Sequence, residues 1–303
     1  MFARVVERLR GDESYYPAMG HELRSGNYPT ASVFNWRAPA LYVSLAAAPR
    51  WLSFALMAAL SILLLASFMI HLARDASPEG TVIGLVLAAG AVVNLAGRQG
   101  RWLTEAWAGV LIGVSIAAYL WRAWVPGALA GTAALFLREL AAPYCITCVL
   151  LAVRGHRKRE LLVWTGGMAL FALYYAAHAA SVLAEMRAGD LAHPRSWLQF
   201  GGLSFWLATI KANALLFSAP RVVLSVSSVL LLAALWAPSL PPHVRAAVVA
   251  YGLFFAVAGQ PFNDYWGLVS SLIYALALSH GPAGLWTLVS RVMPQRAAGP
   301  SGA

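Results

Sequence analysis

The sequence is poor in charge. Aspartate, glutamate, lysine and arginine make up 11% of its 303 residues, while 60% are hydrophobic. Soluble domains carry roughly 25% charged residues, so this chain lacks the polar surface that a soluble fold of its length needs. Acidic residues are the scarcest, 12 against 22 basic ones. Cysteine is limited to Cys145 and Cys148. Their CxxC lies in an apolar run with no βαβ context, so it reads as two small packing residues on one helical face rather than a redox pair. Met1–Arg10 alternates charge and apolarity and has no hydrophobic core region, so no cleavable signal sequence is expected. There is no repeat of fixed period and no inverted-repeat pattern of the transporter kind.

What the chain has is long apolar runs. Trp51 to Ile70 is uncharged over twenty residues, and Leu161 to Ala184 over twenty-four. A helix rising about 1.5 Å per residue needs about 20 such residues to cross a bilayer. The expected fold class is therefore all-α, a polytopic integral membrane protein. Spans are expected near 51–72, 80–97, 102–121, 161–184, 222–237, 246–259 and 267–290, with another over 200–219 around Lys211. The stretch 126–153 is interrupted by Arg138 and Glu139 and reads as two short helices with the charged pair at their bend. The total comes to about eight to ten helices. Three zones follow: an amphipathic N-terminal segment over 1–50, a transmembrane body over 51–290, and a tail over 291–303 in which no order is expected.

The net charge of +10 is dispersed in short clusters between apolar blocks, as at Arg154, His156, Arg157, Lys158 and Arg159. That is the pattern of cytoplasmic loops, and the absence of a basic stripe argues against nucleic acid as a partner. With this cluster in the cytoplasm, the segment Glu185–Gln199 falls on the opposite face, together with residues 1–50. It carries Arg187, Asp190, His193 and Arg195 around Pro194. The composition fits a bacterial inner membrane.

The N-terminal zone holds the densest chemistry. Asp12 and Glu13 precede Tyr15 and Tyr16, and Arg37 follows Trp36. Adjacent carboxylates beside tyrosines suit a general base or a divalent cation site; equally, they suit the cap of a helix starting at Ser14. Arg37 suits either an anion or simple snorkelling beside Trp36. Arg138 and Glu139 are ionisable groups at membrane depth, which are costly and often functional; alternatively they pair at a helix end. His193 and Arg195 suit an acceptor site or a solvated loop. Asp264 reads as an interfacial helix cap, and His178 and His280, alone on apolar faces, as packed residues.

Gly11-Asp12-Glu13-Ser14-Tyr15-Tyr16, the turn Gly26-Asn27-Tyr28-Pro29 and the segment Arg37-Ala38-Pro39-Ala40-Leu41-Tyr42 together resemble the first external loop of GT-C glycosyltransferases. The similar members are bacterial relatives of protein O-mannosyltransferases and lipid A aminoarabinose transferases. Leu137-Arg138-Glu139 and Asn263-Asp264-Tyr265-Trp266-Gly267 extend the resemblance thinly along the chain. It implies transfer of a sugar from a polyprenyl-phosphate carrier, a membrane lipid, to an acceptor at the external face. Asp12 is then the base that activates the acceptor hydroxyl, with Glu13 beside it. Tyr15, Tyr16, Arg37, Arg138, Glu139, His193 and Arg195 are substrate-binding, and Arg37 balances the departing phosphate. No metal ligand is implied, and a divalent cation remains an open cofactor. The chain departs from the family in two places. The family places a transmembrane helix ahead of this motif, where this chain has ten residues before Gly11, and Ala38 replaces the first proline of a Pro-Pro pair.

Two other classes compete. One is a non-catalytic membrane subunit on a GT-C-like body, working beside a partner membrane protein. The other is a transporter, which calls for ionisable residues deep in several spans, whereas those here are mainly Arg138, Glu139 and Lys211.

Overall fold

The computed structural model describes residues 1–97, 99–193 and 199–292. Among them every regular element is helical and there is no β-strand. The N-terminal zone forms α1 (Phe2–Arg10), α2 (Tyr15–Ser25) and α3 (Ala40–Ala47). Val5 and Val6 are the buried residues of α1, and Arg4 and Arg8 reach across to α2. The acidic pair closes this helix instead of opening the next. Asp12 N–H bonds the Leu9 carbonyl and Glu13 N–H bonds the Arg8 carbonyl, both at 3.2 Å. That turn requires a left-handed residue, and Asp12 supplies it at φ 64°. The next helix starts at Tyr15, and Ser14 in front of it makes no side-chain capping bond.

The body consists of α4 (Arg50–Asp75), α5 (Pro78–Ala96), α6 (Thr104–Leu120), α7 (Trp124–Leu137), α8 (Ala142–Arg154), α9 (Lys158–Glu185), α10 (Gly202–Ile210), α11 (Arg221–Ala234), α12 (Pro242–Val257), α13 (Ser271–Leu278) and α14 (Gly281–Val292). Among the described residues α4, α5 and α9 are long and apolar enough to cross a membrane, and α13 with α14, bent by 51°, makes a fourth candidate. α6, α7, α11 and α12 are apolar but shorter. The long helices carry exposed apolar side chains: Ile62 and Leu63 on α4, Val82 and Val93 on α5, Leu162, Leu170 and Leu173 on α9. Contiguous apolar surface of this kind is a liability in water and is satisfied by hydrocarbon. α5 begins where its sequence says it should. Ser77 accepts a bond from the Gly80 N–H at 3.1 Å, Pro78 needs no donor in the first turn, and Glu79 faces the positive end of the helix.

The core is built on α6 and α13. All of α13 is buried, as is most of α6. Gly109 lets the segment leading into α13 approach α6, since a Cβ there would lie 2.3 Å from the Leu268 carbonyl oxygen. Without a side chain at 109, the 3-10 segment Pro261–Val269 lies directly on α6, one turn beyond Glu105.

The break expected around Arg138 and Glu139 is present. Arg138 is extended, and a 3-10 turn over Glu139–Ala141 leads into α8. Pro143 explains the break: in a continuous helix it would donate no hydrogen bond and its ring would strike the carbonyl of residue 139.

Two expected spans differ. Residues 200–219 are not one helix, because α10 stops at Ile210. Beyond it, Asn213 donates to the Leu87 carbonyl of α5 at 2.7 Å and accepts from the Leu215 N–H at 3.0 Å. An amide side chain competing for backbone groups in this way favours a turn over helix. The expected 267–290 span is divided into the 3-10 segment, α13 and α14. Of the tail, residues 293–303 lie outside the described residues.

The N-terminal zone and the segment after α9 touch. The Thr30 and Ala31 N–H groups bond the Leu191 carbonyl at 2.9 and 3.1 Å. Arg24 reaches Glu185 and Asp190.

Candidate functional site

Three separated stretches of the sequence meet at one buried carboxylate. Glu105, in the first turn of α6, is 0% exposed, and its Oε1 lies 3.0 Å from Arg37 Nη2 and 3.0 Å from Arg138 Nε. Its other oxygen accepts from the Thr104 hydroxyl at 3.2 Å. Arg37 stands just ahead of α3 and is 11% exposed; Arg138, in the break between α7 and α8, is 3% exposed. Arg37 Nη2 also donates to the Tyr265 hydroxyl at 3.1 Å. Arg138 donates from Nη1 to Glu139, whose side chain is 27% exposed, and its guanidinium lies 5.9 Å from the centre of the Trp266 ring. Burial works against the Arg37 charge, but Glu105 together with Tyr265, Tyr42 and Glu139 outweighs it and holds the guanidinium above its ordinary value.

Local structure explains each placement. Tyr15 donates its hydroxyl proton to the Arg37 carbonyl, fixing the backbone from which Arg37 projects. Trp36 is buried and donates to the Thr30 carbonyl at 3.0 Å, so the loop ahead of α3 is anchored on both sides. Tyr174 of α9 accepts from the Ala40 N–H at 3.0 Å. Asn263 closes the turn that presents Tyr265 by accepting from the Gln260 N–H at 2.9 Å. Gln260 and Asn263 together therefore do the capping expected of Asp264.

Comparison with protein-family models, curated proteins and solved structures finds no match for this chain.

Of the residues singled out from sequence, Arg37, Arg138 and Glu139 belong to this cluster, and Tyr15 supports it from behind. Tyr16 packs beside Tyr15, with its hydroxyl 3.2 Å from His178 Nδ1. His193 packs against Phe262 with ring centres 5.4 Å apart, on the segment that carries Tyr265. Arg195 lies outside the described residues. Asp12 and Glu13 do not join the cluster. Asp12 is exposed in the turn after α1, and Glu13 pairs with Arg8 at 3.0 Å. Among the described residues no three His, Cys, Asp or Glu side chains are grouped to hold a metal ion. Cys145 and Cys148 are buried free thiols, and Cys145 is placed to donate to the Gly131 carbonyl at 3.5 Å.

Glu105 is the residue that sequence reasoning missed. It is the sole acidic side chain of an otherwise apolar expected span, and a lone carboxylate there signals a buried partner. Glu22 is a second missed centre. It is nearly buried and accepts from Arg4 at 2.6 Å and Arg8 at 2.8 Å. Burial opposes its charge, but the two arginines outweigh that and leave the carboxyl below its usual range.

Chemically, the main cluster gathers donors of the kind that an anion calls for. Two guanidiniums converge within reach of one buried counter-charge, and a phenol and a part-exposed carboxylate lie at their edge. Arginine's planar fork suits phosphate oxygens in pairs.

Proposed function

We propose that the chain is an integral membrane glycosyltransferase of the GT-C type, with about eight to ten membrane-embedded helices. It transfers a sugar from a polyprenyl-phosphate carrier to an acceptor at the external face, in a bacterial inner membrane. The observation that carries this reading is the convergence of Arg37 and Arg138 on Glu105 beside Tyr265. The three sequence stretches that resemble the family thus contribute side chains to one place. In this reading Arg37 and Arg138 hold the carrier phosphate as the glycosidic bond breaks. Asp12, with Glu13 beside it, accepts the proton of the attacking hydroxyl. A positive site suits this chemistry because negative charge develops on the leaving phosphate.

The test is sugar transfer by the reconstituted protein from a polyprenyl-phosphate sugar, with Asp12→Asn, Glu13→Gln and Arg37→Gln variants. Loss of transfer in the Arg37 variant and in at least one carboxylate variant supports the reading. Full transfer by the doubly substituted carboxylate variant removes it.

A second reading, a non-catalytic membrane subunit on the same body, is favoured by one observation. Asp12 is engaged in a helix-ending turn and Glu13 in an ion pair, so neither stands at the arginine cluster. Purification in a fixed ratio with another membrane protein, without transfer activity, is the result that selects it.

A further inference from the structure

Both Glu105 and Glu139 touch Arg138, but in different ways. Glu105 is fully buried, lies against two guanidiniums at once and is steadied by Thr104. Removing its charge strands two cations away from water, which proteins tolerate poorly. Glu139 is 27% exposed and meets Arg138 Nη1 alone. A carboxylate so placed regains water when it leaves. It directly follows Arg138 at the extended break, so side-chain rotation is enough to move it aside.

Charge counting separates them further. Arg37, Arg138 and Glu105 sum to +1, and Glu139 brings the resting cluster to zero. Neutrality makes the burial of the two guanidiniums tolerable. Departure of Glu139 uncovers one positive charge and frees Arg138 Nη1; on the other arginine of the cluster, the Arg37 Nε–H is buried without a hydrogen-bond partner. A phosphate oxygen pair satisfies such donors better than one carboxylate oxygen does.

We propose that Glu139 is a displaceable placeholder: its carboxylate occupies the Arg138 position that an incoming phosphate ester takes, while Glu105 remains as the fixed anchor of both arginines. This rests on the phosphate-binding part of the reading above. Glu139 therefore sets ligand affinity by competition, and the two carboxylates on one guanidinium act in opposite directions.

The experiment is calorimetric titration of the full-length protein in nanodiscs, using two probes, farnesyl phosphate and inorganic phosphate. Wild type, Glu139→Gln and Glu105→Gln are compared, with thermal unfolding as the check on folding. Glu139→Gln is expected to bind farnesyl phosphate about tenfold more tightly than wild type, the scale of one charge-assisted contact. Glu105→Gln is expected to bind more weakly. Because Glu105→Gln is the variant at risk of misfolding, the outcome at Glu139 decides. A gain with farnesyl phosphate bound more tightly than inorganic phosphate supports the placeholder and a membrane-lipid ligand. A gain for both probes, with inorganic phosphate bound as tightly as farnesyl phosphate, supports the placeholder and overturns the lipid-carrier reading. Unchanged or weaker binding of both probes by Glu139→Gln overturns the placeholder and leaves the carrier reading standing. Binding of neither probe by any variant overturns both.

Discussion

Arg24 of α2 donates to both carboxylate oxygens of Asp190, at 2.8 and 3.0 Å, across 166 residues of sequence. The pair joins the N-terminal zone to the segment following α9 and holds the loop from which Trp36 and Arg37 extend. Arg24 also lies over the Trp36 ring, 5.7 Å from its centre.

This pair makes stability depend on acid. The Arg24 guanidinium, helped by the Arg187 N–H, holds the Asp190 carboxyl well below its ordinary value of 3.8. A carboxyl depressed in the folded state contributes stability above its unfolded pKa, and that contribution fades as pH falls toward the folded one. Thermal unfolding followed downward from about pH 4 should therefore show a steeper loss in wild type than in Asp190→Asn. At neutral pH the variant should be less stable by about 1–2 kcal/mol.

The Gly109 contact predicts a contrast between two glycines. A Cβ at 109 meets the Leu268 carbonyl oxygen at 2.3 Å, whereas one at Gly166 meets nothing within 4 Å. Gly109→Ala should cost about 1–3 kcal/mol through overpacking and shift Tyr265 away from Arg37. Gly166→Ala, on the exposed side of α9, should be neutral or stabilising by up to about 1 kcal/mol. Equal melting temperatures for the two variants would contradict the packing of the 3-10 segment on α6.

Membrane crossing by α9 is tested by Leu173, which is exposed near the middle of that helix. Leu173→Arg should oppose insertion by about 2.5–3.5 kcal/mol, read as a lower membrane-integrated fraction in a translocation assay. A helix bathed in water would accept the same arginine without penalty.

Glu105→Gln removes the shared counter-charge of Arg37 and Arg138. Breaking a buried pair from one side costs about 3–5 kcal/mol, so this variant should unfold at markedly lower temperature than Glu139→Gln. Similar melting temperatures would mean that water reaches the cluster and that Glu105 is not its anchor.

Much of the architecture was legible from run length alone. α4, α5 and α9 were visible because an uncharged stretch of membrane width has few other uses. The α7–α8 break was visible because Arg138 and Glu139 divide a run too short for two spans. Other features depend on partners that no local pattern reveals. The turn at Asn213 follows from a carbonyl on α5, and the division of the last span from close packing around α13. The Asp12 and Glu13 pair illustrates the same limit, since a carboxylate beside a helix start and one ending the preceding helix look alike until the backbone is traced. At the site, Arg37 and Arg138 stood out as cations in apolar surroundings. Glu105 did not, although it is what brings them together.

The left-handed backbone at Asp12 has a consequence for genetics. Beta-carbon strain at such a position falls away with glycine and is tolerated by asparagine, but not by alanine. An alanine scan would thus confuse a damaged bend with a lost proton acceptor. Glycine separates the two, because Asp12→Gly deletes the carboxylate while easing the bend. If Asp12 serves transfer, that allele should yield a sturdier protein with less activity, and abundance and phenotype would move in opposite directions.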